Sequence, residues 1–492
     1  MANIGCRLVS SLALALAMSA MGACGGGTES PRQDTGVQDA PAQMDVPVDQ
    51  AQGTDVAVAP DGGADDAGTP ADAADAGAPT DGPTIECATP PTGGAVAAGT
   101  APMQAAGPTV ATSPTRPELS TEVADGKYTI KKALAQGYLI NNGTPPDGGV
   151  GAVTYSANDN WDPQTNGIGD PATFTPTFTV AADGSGTHTS IYLAFAEALN
   201  LGVCGRVYIR VMPGEYRGQV LLNSKTSAPN ITLYSTESDA SKTVIVANQA
   251  GATAGSMTLS ATLTVKAIRG FQMKNITVAN DYVEDSSPGN QSAVAMLLQS
   301  DLAQFENVRF LGNVGTLYIK SSSETIAARS YFRDCYVEGD QDFIVGRGTA
   351  VFDHTEIKVL TSRLATGGSI AYPSTLVFNG YGFLFDSCNF TAGAGASGVF
   401  LARQWAEESD TLAIRGLPVG KMIVRNSTLG AHLAGAAPWS ATGARVTTPK
   451  DPAGTTPVVV YTSDDYFPAG IGPTPPEPYL AEYRNSGPGA HQ

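Results

Sequence analysis

The chain has 492 residues and carries 28 Lys+Arg against 46 Asp+Glu, a formal net charge of −18. Residues 25–100 hold thirteen Asp or Glu and one basic residue, Arg32, a net of −12, so the sequence from 101 onward is only mildly acidic. No Lys/Arg cluster marks a nucleic-acid surface and no apolar window reaches the ~20 residues of a membrane span, which excludes nucleic acid as a partner and a helical integral membrane protein.

At the N-terminus, Arg7 and the Leu/Ala-rich run 10–20 read as the charged and apolar regions of an export signal. Met21-Gly22-Ala23-Cys24 reads as a lipoprotein processing site, with Cys24 as the lipidated first residue of the mature chain. The alternative is an ordinary secretory signal with an incidental Cys. Either reading places the protein outside the cytoplasm: at the outer membrane or cell surface through a lipid anchor, otherwise periplasmic or secreted. Residues 24–112, rich in Asp, Ala, Gly and Pro, cannot bury enough apolar surface to offset ordering entropy and are expected to be a disordered spacer. The expected organisation is therefore 1–23 signal, 24–112 linker, 113–172 N-terminal extension and 173–492 folded domain.

Ile191, Phe195 and Leu199 recur every four residues after Thr189-Ser190, as an amphipathic helix requires. A strand over 206–211 follows, then a Pro213-Gly214 turn. Beyond it a six-residue phrase recurs: apolar, polar, polar, small or β-branched, polar, apolar. It starts at Met273, Phe305, Phe332, Phe352, Phe385 and Val424, with intervals of 32, 27, 20, 33 and 39 residues by subtraction. Short β-rich units at such a period indicate the coils of a solenoid, with the helix at 191–199 as its cap. An all-β parallel β-helix is predicted, with Ile276, Val308, Cys335, Thr355, Cys388 and Ser427 stacked inward as a ladder. Cys335 and Cys388 would then lie two coils apart, about 9–10 Å at the ~4.8 Å strand spacing and beyond the ~7 Å reach of a disulfide. They are read as buried thiols, leaving Cys24, Cys87 and Cys204 as the other cysteines of the mature chain.

One window stands out chemically: Gly339-Asp340-Gln341-Asp342-Phe343-Ile344-Val345-Gly346. It sets a carboxylate, Asp342, immediately before an apolar run, which costs free energy unless the group is paired or hydrogen-bonded. The plainer reading is a surface Asp opening a strand. The four histidines, His188, His354, His432 and His491, show no metal-ligand spacing, and His354 fills a polar slot of the repeated phrase. No metal or cofactor is expected, and no Gly-X-Ser-X-Gly elbow supports a serine esterase.

The segments Asp183-Gly184-Ser185-Gly186, Val211-Met212-Pro213-Gly214-Glu215-Tyr216, Ser292-Ala293-Val294-Ala295, Thr316-Leu317-Tyr318, Asp342-Phe343-Ile344-Val345-Gly346 and Arg403-Gln404-Trp405 occur in an order that resembles the pectin methylesterases. The resemblance covers about 174 to the C-terminus. It implies a right-handed parallel β-helix with a cleft on one flank, and a pectin or related polysaccharide as partner to a monomer. It also implies an Asp nucleophile that forms an acyl-enzyme, a second Asp as acid and base, Gln donors to the oxyanion, and an Arg that holds the nucleophile charged. By resemblance Asp342 is the nucleophile, Arg403 its partner and Trp405 the aromatic lining the sugar cleft, with Tyr318, Ser292 and Gln291 as further substrate-binding positions.

The chain departs from that pattern. The acid Asp corresponds to Gly315, one oxyanion Gln to Val314, and the Gln before Ala-Val-Ala to Ser292, with Gln291 one residue earlier. A one-residue offset points a strand side chain to the opposite face, so Gln291 and Asn313 are poor replacements without a bulge. Asp340, two residues from Asp342, would share its strand face and a proton with it, or else be a solvated turn residue. Three readings follow: an exported esterase on methyl-esterified pectin or a related acylated polymer, an impaired homologue that binds polygalacturonate, or an esterase for a thioester or acetyl ester.

Overall fold

The computed structural model describes residues 116–135 and 161–490, apart from 204, 225–227, 285–290, 322–327, 376–380, 404, 406, 408–419 and 441–479. For 109–111, 139–140, 153–154, 444–446 and 458–460 it gives backbone pairing only. The export signal, Cys24, Cys87, Cys204, His491 and nearly all of the acidic linker lie outside the described residues. Strand Thr109–Ala111 pairs antiparallel with Pro117–Leu119, so regular structure begins inside the segment expected as linker.

Most strands pair in parallel with strands one coil away, and they form three long sheets of 12, 8 and 7 strands. A coil contributes one strand to each: Ala303–Glu306, Arg309–Leu311 and Leu317–Ile319, then Arg329–Arg333, Tyr336–Gly339 and Ile344–Gly346, then Thr349–Asp353, Glu356–Val359 and Ser369–Pro373. This is the parallel β-helix expected from the repeat.

The repeated phrase is the corner between the first and second sheets. Its first positions stack in register, Met273 with Phe305, Phe305 with Phe332, Phe332 with Phe352, Phe352 with Phe385 and Phe385 with Val424. Phe305, Phe332, Phe352 and Phe385 lie nearly face to face at 4.6, 4.7 and 4.5 Å between ring centroids. Stacks of that spacing add to the area that each ring buries. The third position adopts left-handed backbone in every copy: Asn275, Asn307, Asp334, His354, Ser387 and Asn426 have φ between 51° and 60°. Asn and Asp tolerate that region better than other side chains, which is why the slot reads as polar. The fourth positions, Ile276, Val308, Cys335, Thr355, Cys388 and Ser427, are all buried, as the ladder requires. Cys335 and Cys388 are free buried thiols with Sγ donating to Phe305 and Phe352 carbonyls. Burial pushes the Cys335 thiol up to about 12.

Helix Ile191–Asn200 turns Ile191, Ala194, Phe195 and Ala198 into the interior and packs on the strands of the first coil. Within the extension, helices Thr121–Gly126 and Ile130–Ala135 cover the outer face of the first sheet at Tyr331, Val351, Leu384, Ile423 and Tyr483. Arg116 clamps this segment to Glu482 at 2.7 Å, and Arg425 donates to the Ala124 and Tyr128 carbonyls. The outer face of the third sheet is the one that carries the site. Among the described residues no helix is long and apolar enough to cross a membrane.

Candidate active site

The site lies where the chain passes from Tyr336–Gly339 in the second sheet to Ile344–Gly346 in the third. Gly339 permits the bend, because a Cβ there would lie 2.2 Å from Phe343 Cβ and 2.5 Å from the Asn313 carbonyl oxygen. Three residues on, Asp342 takes left-handed backbone at φ 44°, and Phe343 and Ile344 then turn inward to the core. On the preceding coil Val314 pairs with Gln341 and the Gly315 amide donates to the Asp342 carbonyl at 3.0 Å. Gly315 therefore sits opposite Asp342, also with positive φ (73°).

Arg403 follows strand Phe400–Ala402, two coils further along, and reaches back over the Tyr372 ring at 4.1 Å. Its Nη2 lies 2.6 Å from Asp342 Oδ2 and its Nε 3.0 Å from Oδ1. The pair is a forked, charge-assisted one, and the Asp342 side chain is only 1% exposed. The need for a partner inferred from the apolar run is thereby met. Gln341 Nε2 approaches the same Oδ2 at 3.5 Å.

The surroundings of this pair are apolar and aromatic. Trp405 stacks on Tyr372 at 5.1 Å with ring planes 14° apart. Met257, Ala261, Val294, Leu297, Tyr318 and Val345 form a continuous buried patch beneath Tyr372 and Trp405. Tyr318 is itself buried, with its hydroxyl donating to Glu407 at 2.7 Å, so it supports Trp405 from below. Glu407 is ringed by Lys320 at 2.9 Å and Arg347 at 3.5 Å. Burial alone would push its carboxyl up, but Arg347, Lys320 and the Tyr318 hydroxyl hold it below its ordinary value.

Asp340 is placed differently from the sequence expectation. The second-sheet strand ends at Gly339, so Asp340 and Asp342 occupy a corner and share no strand face. Asp340 is no solvated turn residue either: its carboxylate is fully buried and accepts from Arg363 Nη2 at 2.7 Å and Nε at 2.8 Å. The same guanidinium lies 3.6 Å from Glu284, whose Oε1 accepts from the Val314 amide at 3.0 Å. Burial pushes the Glu284 carboxyl up to about 8, with the Asp340 charge adding to that rise. Ser292 is buried and Gln291 partly exposed where their coil enters the third sheet. The Ser292 carbonyl accepts from the Gly251 amide.

The sequence carries no signal for Tyr372, Arg363, Glu284 or Glu407, whereas Gln341 lies within the window that stood out for Asp342. Each of those four sits in an unremarkable local window, and only the fold brings Tyr372 to Arg403, Arg363 and Glu284 to Asp340, and Glu407 to Tyr318. Among the described residues no group of His, Cys, Asp or Glu is arranged to hold a metal ion.

The fold and site together define a parallel β-helix protein with an Asp–Arg pair on an aromatic-lined outer face. Sequence comparison narrows it. The Pectinesterase family profile matches residues 177–428. A pectinesterase of Ralstonia solanacearum is 38% identical over 351 residues, covering 66% of this chain and 84% of the relative. Pectinesterase B of Dickeya dadantii is 28% identical over 377 residues, covering 66% and 82%. Among solved structures, YbhC of Escherichia coli superposes with TM-score 0.60 at 25% identity, covering 78% of this chain and 98% of that one. Rice weevil pectin methyl esterase shares the fold with TM-score 0.56 at 22% identity, covering 76% and 98%. The chain belongs to the pectinesterase family of carboxylic ester hydrolases, and its fold is the right-handed parallel β-helix.

Proposed function

We infer that the protein is an exported esterase acting on methyl-esterified pectin or a related acylated polysaccharide, with Asp342 as its nucleophile. The observation that carries this reading is the forked Arg403–Asp342 pair at 2.6 and 3.0 Å, set on strained left-handed backbone beside the Trp405–Tyr372 stack. Backbone of that kind persists where surrounding structure holds it, and functional corners are such places. Arg403 pairs with the carboxylate through two donors and fixes the direction of attack. Asp342 adds to the ester carbonyl, the alcohol leaves, and water hydrolyses the acyl-enzyme. Gln341 exchanges its 3.5 Å contact with Asp342 for the carbonyl oxygen of the ester, a donor to the developing oxyanion. Trp405 offers a flat face to a sugar ring, with Tyr372 and Tyr318 behind it.

The Arg363–Asp340–Glu284 cluster fixes the corner that carries Asp342, so Asp340 acts through position. Residues Gln291 and Ser292 border the same face one coil before Val314. Lipidation at Cys24 would tether the enzyme to a membrane, with the acidic linker giving reach. The test is methanol release from methylated pectin by the wild type and Asp342→Asn. Release by the wild type alone supports the reading. Equal background rates in both, with both retained on a pectin affinity gel, would show a binding homologue instead.

A further inference from the structure

Gly315 stands opposite Asp342, and the space beside it is taken. A Cβ built on Gly315 would lie 2.3 Å from Met257 Cε, well inside van der Waals contact. Its φ of 73° would strain most side chains in any case. Met257 is buried and belongs to the apolar patch of Val294, Leu297, Tyr318 and Val345 that runs beneath Trp405. The side-chain space at Gly315, opposite Asp342 on the preceding coil, thus holds a thioether methyl among hydrocarbon. Among the described residues, the carboxyls of Asp340 and Glu284 are buried against Arg363 and the Val314 amide.

An alcohol leaving from the tetrahedral intermediate needs a proton when its anion is strongly basic. Methanol lies close to water, with a pKa of ~15.7, whereas a phenol lies at ~10 and a thiol at ~8.5. We propose that Met257 closes the proton-donor position, making this site selective for esters and thioesters whose leaving group departs as a stable anion. This rests on Asp342 as the nucleophile. Asp342 Oδ bonds to the carbonyl carbon while the bond from that carbon to the leaving oxygen or sulfur breaks, the leaving group taking the electron pair. Water then adds to the mixed anhydride, giving the product carboxylate and the Asp342 carboxylate with two protons released. One of those neutralises the leaving anion, so the net reaction is hydrolysis. The site therefore works on a methyl ester slowly, and its turnover depends steeply on the leaving group.

The test uses the full chain and phenyl, trifluoroethyl and methyl esters of one galacturonate oligomer, with kcat/KM compared with hydroxide hydrolysis of the same esters. The wild type should fall from phenyl to methyl by about 10²–10⁴ more than hydroxide does, the value of a missing general acid. Met257→Glu, which brings a carboxyl to the slot without touching the Gly315 backbone, should raise the methyl-to-phenyl ratio at least tenfold. Met257→Ala, which admits water, should raise it by less. A wild-type series parallel to hydroxide overturns the proposal, as does an unchanged ratio in both variants when thermal unfolding shows them folded. Asp342→Asn separates the two readings: retention of phenyl-ester hydrolysis in that variant removes the nucleophile, and the proposal with it.

Discussion

Two corners of the same β-helix use left-handed backbone, and they differ in what holds them. At the first corner, between the first and second sheets, six successive copies place Asn, Asp, His or Ser at φ of 51° to 60°, and the residue next along is buried in the interior ladder. That corner is a repeating device, fixed by the stack of Phe305, Phe332, Phe352 and Phe385 beneath it. At the second corner, between the second and third sheets, Asp342 is the one non-glycine residue among those described to carry the conformation, above Gly315, and it is fixed by Arg403. The first corner stabilises the solenoid without chemistry. The second spends strain and a buried charge in one place, and that concentration is what separates a site from a scaffold.

The largest expected effect falls on the second corner. Arg403→Ala leaves a buried carboxylate without its cation, which costs roughly 3–5 kcal/mol for a buried pair broken from one side. Urea unfolding should show that loss together with near-complete loss of ester hydrolysis. Phe352→Ala breaks the repeating corner instead, at a cost of about 3–5 kcal/mol for a large core aromatic. The same unfolding titration should register it while hydrolysis per folded molecule stays at the wild-type level. Loss of specific activity in that variant would mean that the corners are coupled.

A smaller effect separates them by pH. Glu284, behind the second corner, is raised by burial from 4.5 to about 8. The folded state therefore binds its proton more tightly than the unfolded state. Its contribution to stability is fully present below about 4.5 and is lost as pH rises through about 8. Chemical denaturation at pH 5 and pH 8.5 should show stability falling with pH, and Glu284→Gln should flatten that slope. Smallest is His354→Val at the first corner. A β-branched residue at φ 51° should cost ~1–2 kcal/mol, and His354→Asn nearly nothing.

The first corner was legible because it repeats. Its polar third slot and small fourth slot recur in the sequence, and the spacing alone indicated coils, ladder and buried thiols. The Asp342–Arg403 pair was legible because a carboxylate before Phe343-Ile344-Val345 requires a partner, and the family pattern supplied Arg403. The shell around them was not. Tyr372 stacks on Trp405 because strand Ser369–Pro373 is in register with Phe400–Ala402, a fact of coil pairing with no local signature. Asp340 was misplaced because strand alternation was extended across a corner, where Gly339 ends the strand and Arg363 claims the side chain. Gly315 looked like a lost acid in the sequence. In the fold it is also a space, and Met257 fills it.

The central claim is that Asp342 performs the covalent step, and an activated ester tests it independently of the leaving-group slot. Hydrolysis of a phenyl galacturonate ester should fall by at least ~10³ in Asp342→Asn, in line with removal of a nucleophile. A folded Asp342→Asn protein that retains a rate within about tenfold of wild type would contradict the account.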